Sequence, residues 1–220
     1  MNVREAWLGG ACGLYGMAAA ASVTIPDPGH AVQSWYRIRQ IVDSGQLTPA
    51  EASIPPPAAI HAVLRHHGRP IASAWSIRAD GDDDPVGTAG LELFTEARSD
   101  SGLVNLPDTL AEAGLKTATL EVELAGDFTP LTAPTLQIIA DQLSPAKHGL
   151  ALRAGSEWIV KSPSALRLTG SAATLATLNE LATVSGYTPT SLDAARKTGR
   201  ATLYAFETID LVQYATGDAP

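Results

Sequence analysis

Apolar side chains recur every second residue along two parts of this chain and every third or fourth along four others, so strands and helices are predicted together. Ile60, Ala62 and Leu64 alternate with His61, Val63 and Arg65, and Ile71, Ser73, Trp75 and Ile77 alternate with Ala72, Ala74, Ser76 and Arg78. His67-Gly68-Arg69-Pro70 between them supplies a turn with glycine at a positive φ, which predicts a β-hairpin. The bulk of Ile71, Trp75 and Ile77 puts their column, Ser73 included, on the core side. In 117–124, Ala118, Leu120, Val122 and Leu124 face one way, with Thr117, Thr119, Glu121 and Glu123 on a solvated face. A second hairpin covers 149–153 and 157–161, turning at Ala154-Gly155-Ser156. Residues 200–212 are apolar on both faces, which predicts one interior strand.

The helical stretches follow the other period. Residues 30–44 align Val32, Trp35, Ile38 and Val42, with Gly45 as the stop. Residues 88–98 carry Leu91 and Phe94, and 134–143 carry Leu136, Ile139, Ala140 and Leu143. Residues 171–185 bury Leu175, Leu178, Leu181 and Ala182 and close at Gly186. Between the first helix and the first strand, 48–57 holds three consecutive prolines and reads as an extended connector. The sum is a single α+β domain: an antiparallel-dominated sheet with two hairpins, flanked by helices. It spans 28–213, after an apolar small-residue segment, 1–27, and before a tail, 214–220.

With 45% apolar and 17% charged residues, the composition is that of an ordered globular protein. The net charge of −8 argues against nucleic acid as a partner. One cysteine, Cys12, excludes an internal disulfide and argues against a thiolate metal site. The segment from Ala6 to Val23 is uncharged and broken by Gly9, Gly10, Gly13 and Gly16. Two readings stay open for it: a close-packed helix in a cytoplasmic protein, or a secretory leader in an exported one. Membrane contact would require this segment to insert.

Chemistry concentrates at the first hairpin. His61, His66 and His67 with Arg65 and Arg69 form a cationic cluster in which His66 or His67 could serve as a general base. As neighbours in a strand, His66 and His67 would face opposite ways, and no metal-ligand spacing follows, so neither a metal nor a cofactor is expected. Ser73 lacks a Gly-x-Ser-x-Gly elbow and reads as a core serine before a nucleophile. The run Gly81-Asp82-Asp83-Asp84-Pro85 lacks the spacing of a calcium loop and reads as a solvated turn. Arg65 and Arg69, together with Lys161 and Arg167 around Ser162-Pro163-Ser164, are the ligand-binding candidates, the latter two for a small anion.

Four segments echo one family in order. They are Pro57-Ala58-Ala59-Ile60 leading into the Gly68 turn; Leu120-Glu121-Val122-Glu123-Leu124 followed by Thr129-Pro130-Leu131; His148-Gly149-Leu150-Ala151-Leu152-Arg153-Ala154-Gly155; and Ala201-Thr202-Leu203-Tyr204-Ala205-Phe206-Glu207. Over about residues 55–210 the chain resembles the AMMECR family (AMME syndrome chromosomal-region protein). The family's Leu-Arg-Gly-Cys-Ile-Gly signature would fall on Pro70-Ile71-Ala72-Ser73-Ala74-Trp75, with Ser73 in the cysteine position and Trp75 in place of a glycine. The resemblance implies the family's α+β fold and leaves the signature site doubtful, since fold does not determine function. The expected function is a non-catalytic binding or scaffold domain with a protein partner or a second copy of itself. The alternative is a small-molecule enzyme with a histidine base beside the first hairpin.

Overall fold

The computed structural model describes residues 26–51, 54–78, 83–100, 114–144, 147–166 and 171–213. The expectations for residues 1–25, for Arg167 and for the tail 214–220 fall outside them. Among the described residues no helix is long and apolar enough to cross a membrane.

The fold is a single α+β domain built on two antiparallel four-stranded sheets. Helix α1 (Pro28–Ser44) begins where Asp27 accepts the amide of His30 and stops at Gly45, φ 67°. Strands β1 (Ala59–His66) and β2 (Arg69–Ile77) form the first hairpin around Gly68, φ 79°. Helix α2 (Pro85–Ser99) is capped by Asp84, whose carboxylate accepts the amide of Gly87 and pairs with Arg37; this aspartate is therefore structural and not a solvated turn residue. Strand β3 (Thr119–Ala125) follows, then β4 (Thr129–Pro130) and α3 (Leu136–Gln142). The second hairpin is β5 (Gly149–Ala154) and β6 (Glu157–Lys161), turning at Gly155, φ 64°. Helices α4 (Pro163–Leu166), α5 (Ser171–Val184) and α6 (Pro189–Lys197) lead to β7 (Ala201–Phe206) and β8 (Thr208–Gln213).

The sheet orders are β2-β1-β3-β8 and β4-β7-β5-β6. The expected single strand over 200–212 is thus two strands in two sheets. β7 is interior in the second sheet and β8 lies at the edge of the first. The chain crosses over at Glu207, which is buried and paired with Lys147 at 2.8 Å. Both faces of β7 are apolar because each has a partner: Leu203 meets the helices, while Phe206 and Tyr204 meet the other sheet.

Three apolar clusters follow from this layout. α1 and α2 cover one face of the first sheet through Trp35, Ile38, Val42, Ala89 and Leu93 against Ile60, Leu64, Leu120 and Val122. The indole of Trp35 donates to the carbonyl of Leu120 at 3.1 Å, tying α1 to β3. Val32, expected on the buried stripe, is exposed; in α2 the fully buried positions are Ala89, Leu93 and Ala97, and Leu91 is only half-buried. α3, α5 and α6 cover the second sheet through Leu136, Ile139, Leu178, Leu181 and Leu192 against Leu150, Leu152 and Leu203. The remaining faces of both sheets share a third cluster around Phe206, with Trp75, Phe128, Trp158 and Tyr204 at its margin.

The side of β2 assigned to the core is the wrong one for Ser73. A bulge between Leu64 and Arg65 on β1 leaves Ile71 unpaired, and from there Ala72 and Ala74 face the helices. Their small side chains face α2, whose Ala89, Leu93 and Ala97 share the same buried cluster, while Gly90 of α2 packs on Ile41 of α1. Ser73 is exposed and Trp75 half-buried on the opposite face.

Candidate functional site

On that opposite face the strand register aligns three polar side chains. His61 on β1 stands directly across from Glu123 on β3 and from Trp75 on β2, with Ser73 one diagonal step away. The Ser73 hydroxyl lies 3.1 Å from His61 Nε2, and Glu123 Oε2 lies 2.9 Å from His61 Nδ1. Trp75 stacks flat on the imidazole, centroids 4.5 Å apart and planes 7° apart, so the ring is held in the orientation that joins the two oxygens. A hydroxyl, an imidazole and a buried carboxylate in this order are the parts of an activated nucleophile: base within reach of the hydroxyl, base oriented by a third group.

Glu123 was expected on a solvated face, yet it is only 8% exposed. Burial raises its pKa, but the hydrogen bond from His61, the hydroxyls of Ser164 and Ser162, and the imidazole's charge outweigh it. The net pKa lies below the ordinary glutamate value, so the group is a carboxylate at neutral pH. Oε1 is buried and has no hydrogen-bond partner among the described residues. Ser162 and Ser164, 2.8 Å apart, sit where the chain leaves β6 and enters α4.

A second carboxylate bounds the site. Glu96 on α2 accepts the backbone amide of Ser73 at 2.8 Å, on the open edge of β2. That amide is therefore taken.

The other residues singled out in the sequence are dispersed. His66 ends β1, and His67 takes a positive φ of 50° in the turn; the turn, and not strand alternation, sets their rings, which touch with centroids 4.1 Å apart instead of facing opposite ways. Burial, His67 and Arg69 lower the pKa of His66, against a smaller raising effect of Asp100. Neither ring reaches Ser73; the histidine that does is His61. Arg65 pairs with Glu121 at 2.9 Å, Arg69 with Asp100, and Lys161 with Glu180 at 3.1 Å, so each of these cations is already neutralised by a carboxylate. A large hollow lies elsewhere. It is a pocket of about 320 Å³ between α1, the proline connector and the start of α2, where Arg37 is committed to Asp84 and to the carbonyl of Thr48.

The signal for the trio was present in part. Alternation gave His61 and Glu123 to one face each, but not to the same face, because that needs the β1–β3 register, which no local pattern encodes.

No protein-family model matches the chain. No curated protein matches it in sequence. Its fold is similar to that of an uncharacterized protein, PH0010 from Pyrococcus horikoshii, with a TM-score of 0.55 at 12% identity over 86% of this chain and 93% of that one. At that identity the likeness shows the fold alone.

Proposed function

We propose that this protein is a small-molecule hydrolase of the acyl-transfer type, with Ser73 as nucleophile, His61 as general base and Glu123 as the group that orients and supports the imidazole. The observation that carries the reading is the continuous Ser73–His61–Glu123 hydrogen-bond line at 3.1 and 2.9 Å. In the first step Ser73 Oγ attacks a carbonyl carbon as its proton passes to His61 Nε2. Glu123 accepts from Nδ1 and stabilises the imidazolium that forms. Collapse of the tetrahedral intermediate expels the leaving group, which takes the proton from His61 and leaves an acyl-serine. Water then repeats the sequence: His61 removes its proton, the acyl group leaves as the acid, and Ser73 recovers its hydrogen.

We further read the chain as a divergent relative of the AMMECR family in which a serine stands in the position of the signature cysteine. The swap keeps a nucleophile on the same strand face, which supports the enzymatic reading over a decayed site. One observation favours the other reading, a binding or scaffold domain. Glu96 occupies the amide of Ser73, a donor that an oxyanion would otherwise use.

Hydrolysis of p-nitrophenyl esters by the full chain, compared with Ser73→Ala and Ser73→Cys, tests the proposal. Activity lost in Ser73→Ala and retained in part by Ser73→Cys is expected. Equal rates for the wild type and Ser73→Ala would leave the binding reading standing.

A further inference from the structure

We infer a second site, independent of the Ser73 reading: an anion-binding cleft at the turn end of the second sheet that takes a phosphomonoester dianion. A cleft of about 620 Å³ opens between the β5–β6 turn, the loop after α5 and the start of β7. Two arginines line it, Arg153 on β5 and Arg200 just before β7.

Each guanidinium is fixed from behind and free in front. Arg153 lies over the indole of Trp158, 5.5 Å from the ring centroid, and its Nε donates to the carbonyl of Gly155 at 3.2 Å. Arg200 Nε donates to Thr198 Oγ1 at 3.1 Å. The terminal nitrogens of both have no hydrogen-bond or carboxylate partner among the described residues. Most of the chain's other arginines there, such as Arg37, Arg39, Arg65, Arg69 and Arg196, hold one.

Two forks with Nε anchored are arranged to bind planar or tetrahedral oxyanions with little further ordering. Their two charges match a phosphomonoester dianion, and they stand out in a chain of net charge −8. Tyr187 and Tyr204 also line the cleft; their rings pack on the second and third apolar clusters and are half-buried. Their hydroxyls make no hydrogen bond within the described residues, which leaves donors and exposed ring edges for the organic half of an ester. Glu157 lines the same cleft and opposes an anion; it sets the affinity below what the arginines alone would give.

Isothermal titration of the full chain with inorganic phosphate and with phenyl phosphate tests the site. Saturable binding is expected, tighter for phenyl phosphate if the rings contribute and equal for the two if phosphate alone is recognised. Arg153→Gln and Arg200→Gln should each weaken binding at least roughly tenfold, as expected for the loss of charge-assisted hydrogen bonds. Arg200→Lys should recover only part, and Glu157→Gln should tighten binding several-fold. All three positions are exposed, and unchanged circular dichroism confirms folding. No saturation by about 10 mM, the weak end of specific binding, or an affinity indifferent to Arg200→Gln, would overturn the inference.

Discussion

His61 has both ring nitrogens committed, one to a hydroxyl and one to a buried carboxylate, and its face covered by Trp75. Glu123→Gln tests the carboxylate's part. The amide can still accept from Nδ1 but offers no charge to an imidazolium. Turnover should fall by roughly 10²–10⁴-fold, in the range of general-base and triad losses, with the fold intact. Steady-state kinetics should show the loss in kcat, with KM little changed. Trp75→Ala acts differently. Since the indole is half-buried and not a core filler, its removal should cost about 2 kcal/mol in a urea titration, less than the 3–5 kcal/mol typical of a fully buried tryptophan. It should also release the imidazole and lower turnover. That placement was not legible in the sequence. Bulky Ile71, Trp75 and Ile77 suggested one core-facing column, whereas the bulge at Ile71 puts Ile71, Ala72 and Ala74 in the helix-covered cluster and leaves Ser73 and Trp75 on the other face.

At the scale of elements, both hairpins were legible, since Gly68 and Gly155 lie at positive φ where the turn demands it. The first helix, its stop at Gly45 and the alternation of β3 up to Val122 were legible too, but not the burial of Glu123. The division of 200–212 was not, because apolarity on both faces reads the same whether one sheet or two supply the neighbours. Gly149 marks where that division matters. It pairs with Phe206 across β5 and β7, and a Cβ there would collide with the Phe206 ring. Phe206 is fully buried and has no room to retreat. Gly149→Ala should therefore cost about 3 kcal/mol by overpacking and change the near-ultraviolet circular dichroism of the aromatic cluster. Gly68→Ala meets nothing and should cost only the about 1–2 kcal/mol of a left-handed backbone, with the aromatic signal unchanged.

Among the described residues, four titration shifts lie in one direction, downward. Burial lowers the pKa of His148, opposed by the charge of Glu207 and aided by Lys147. The hydrogen bond from Arg37 lowers that of Asp84, and Glu123 is lowered as described. A histidine with a lowered folded pKa leaves stability unaffected above its ordinary value of 6.5, and costs stability below it, where the unfolded chain takes the proton first. Carboxylates with lowered folded pKa values contribute stability above about 4.5, which is lost as pH falls through those values. Urea midpoints measured from about pH 8 to about pH 3.5 should be level at first, begin to fall below about 6.5, and fall more steeply below about 4.5. A midpoint that rises between about pH 7 and 5 would contradict these assignments.

The central claim is that Ser73 is an activated nucleophile, and mass mapping of the protein after exposure to a fluorophosphonate tests it most directly. The account predicts a single phosphonylated residue, Ser73, with the adduct lost in His61→Ala while circular dichroism remains native. No adduct on Ser73, or labelling that is unchanged in His61→Ala, would contradict it.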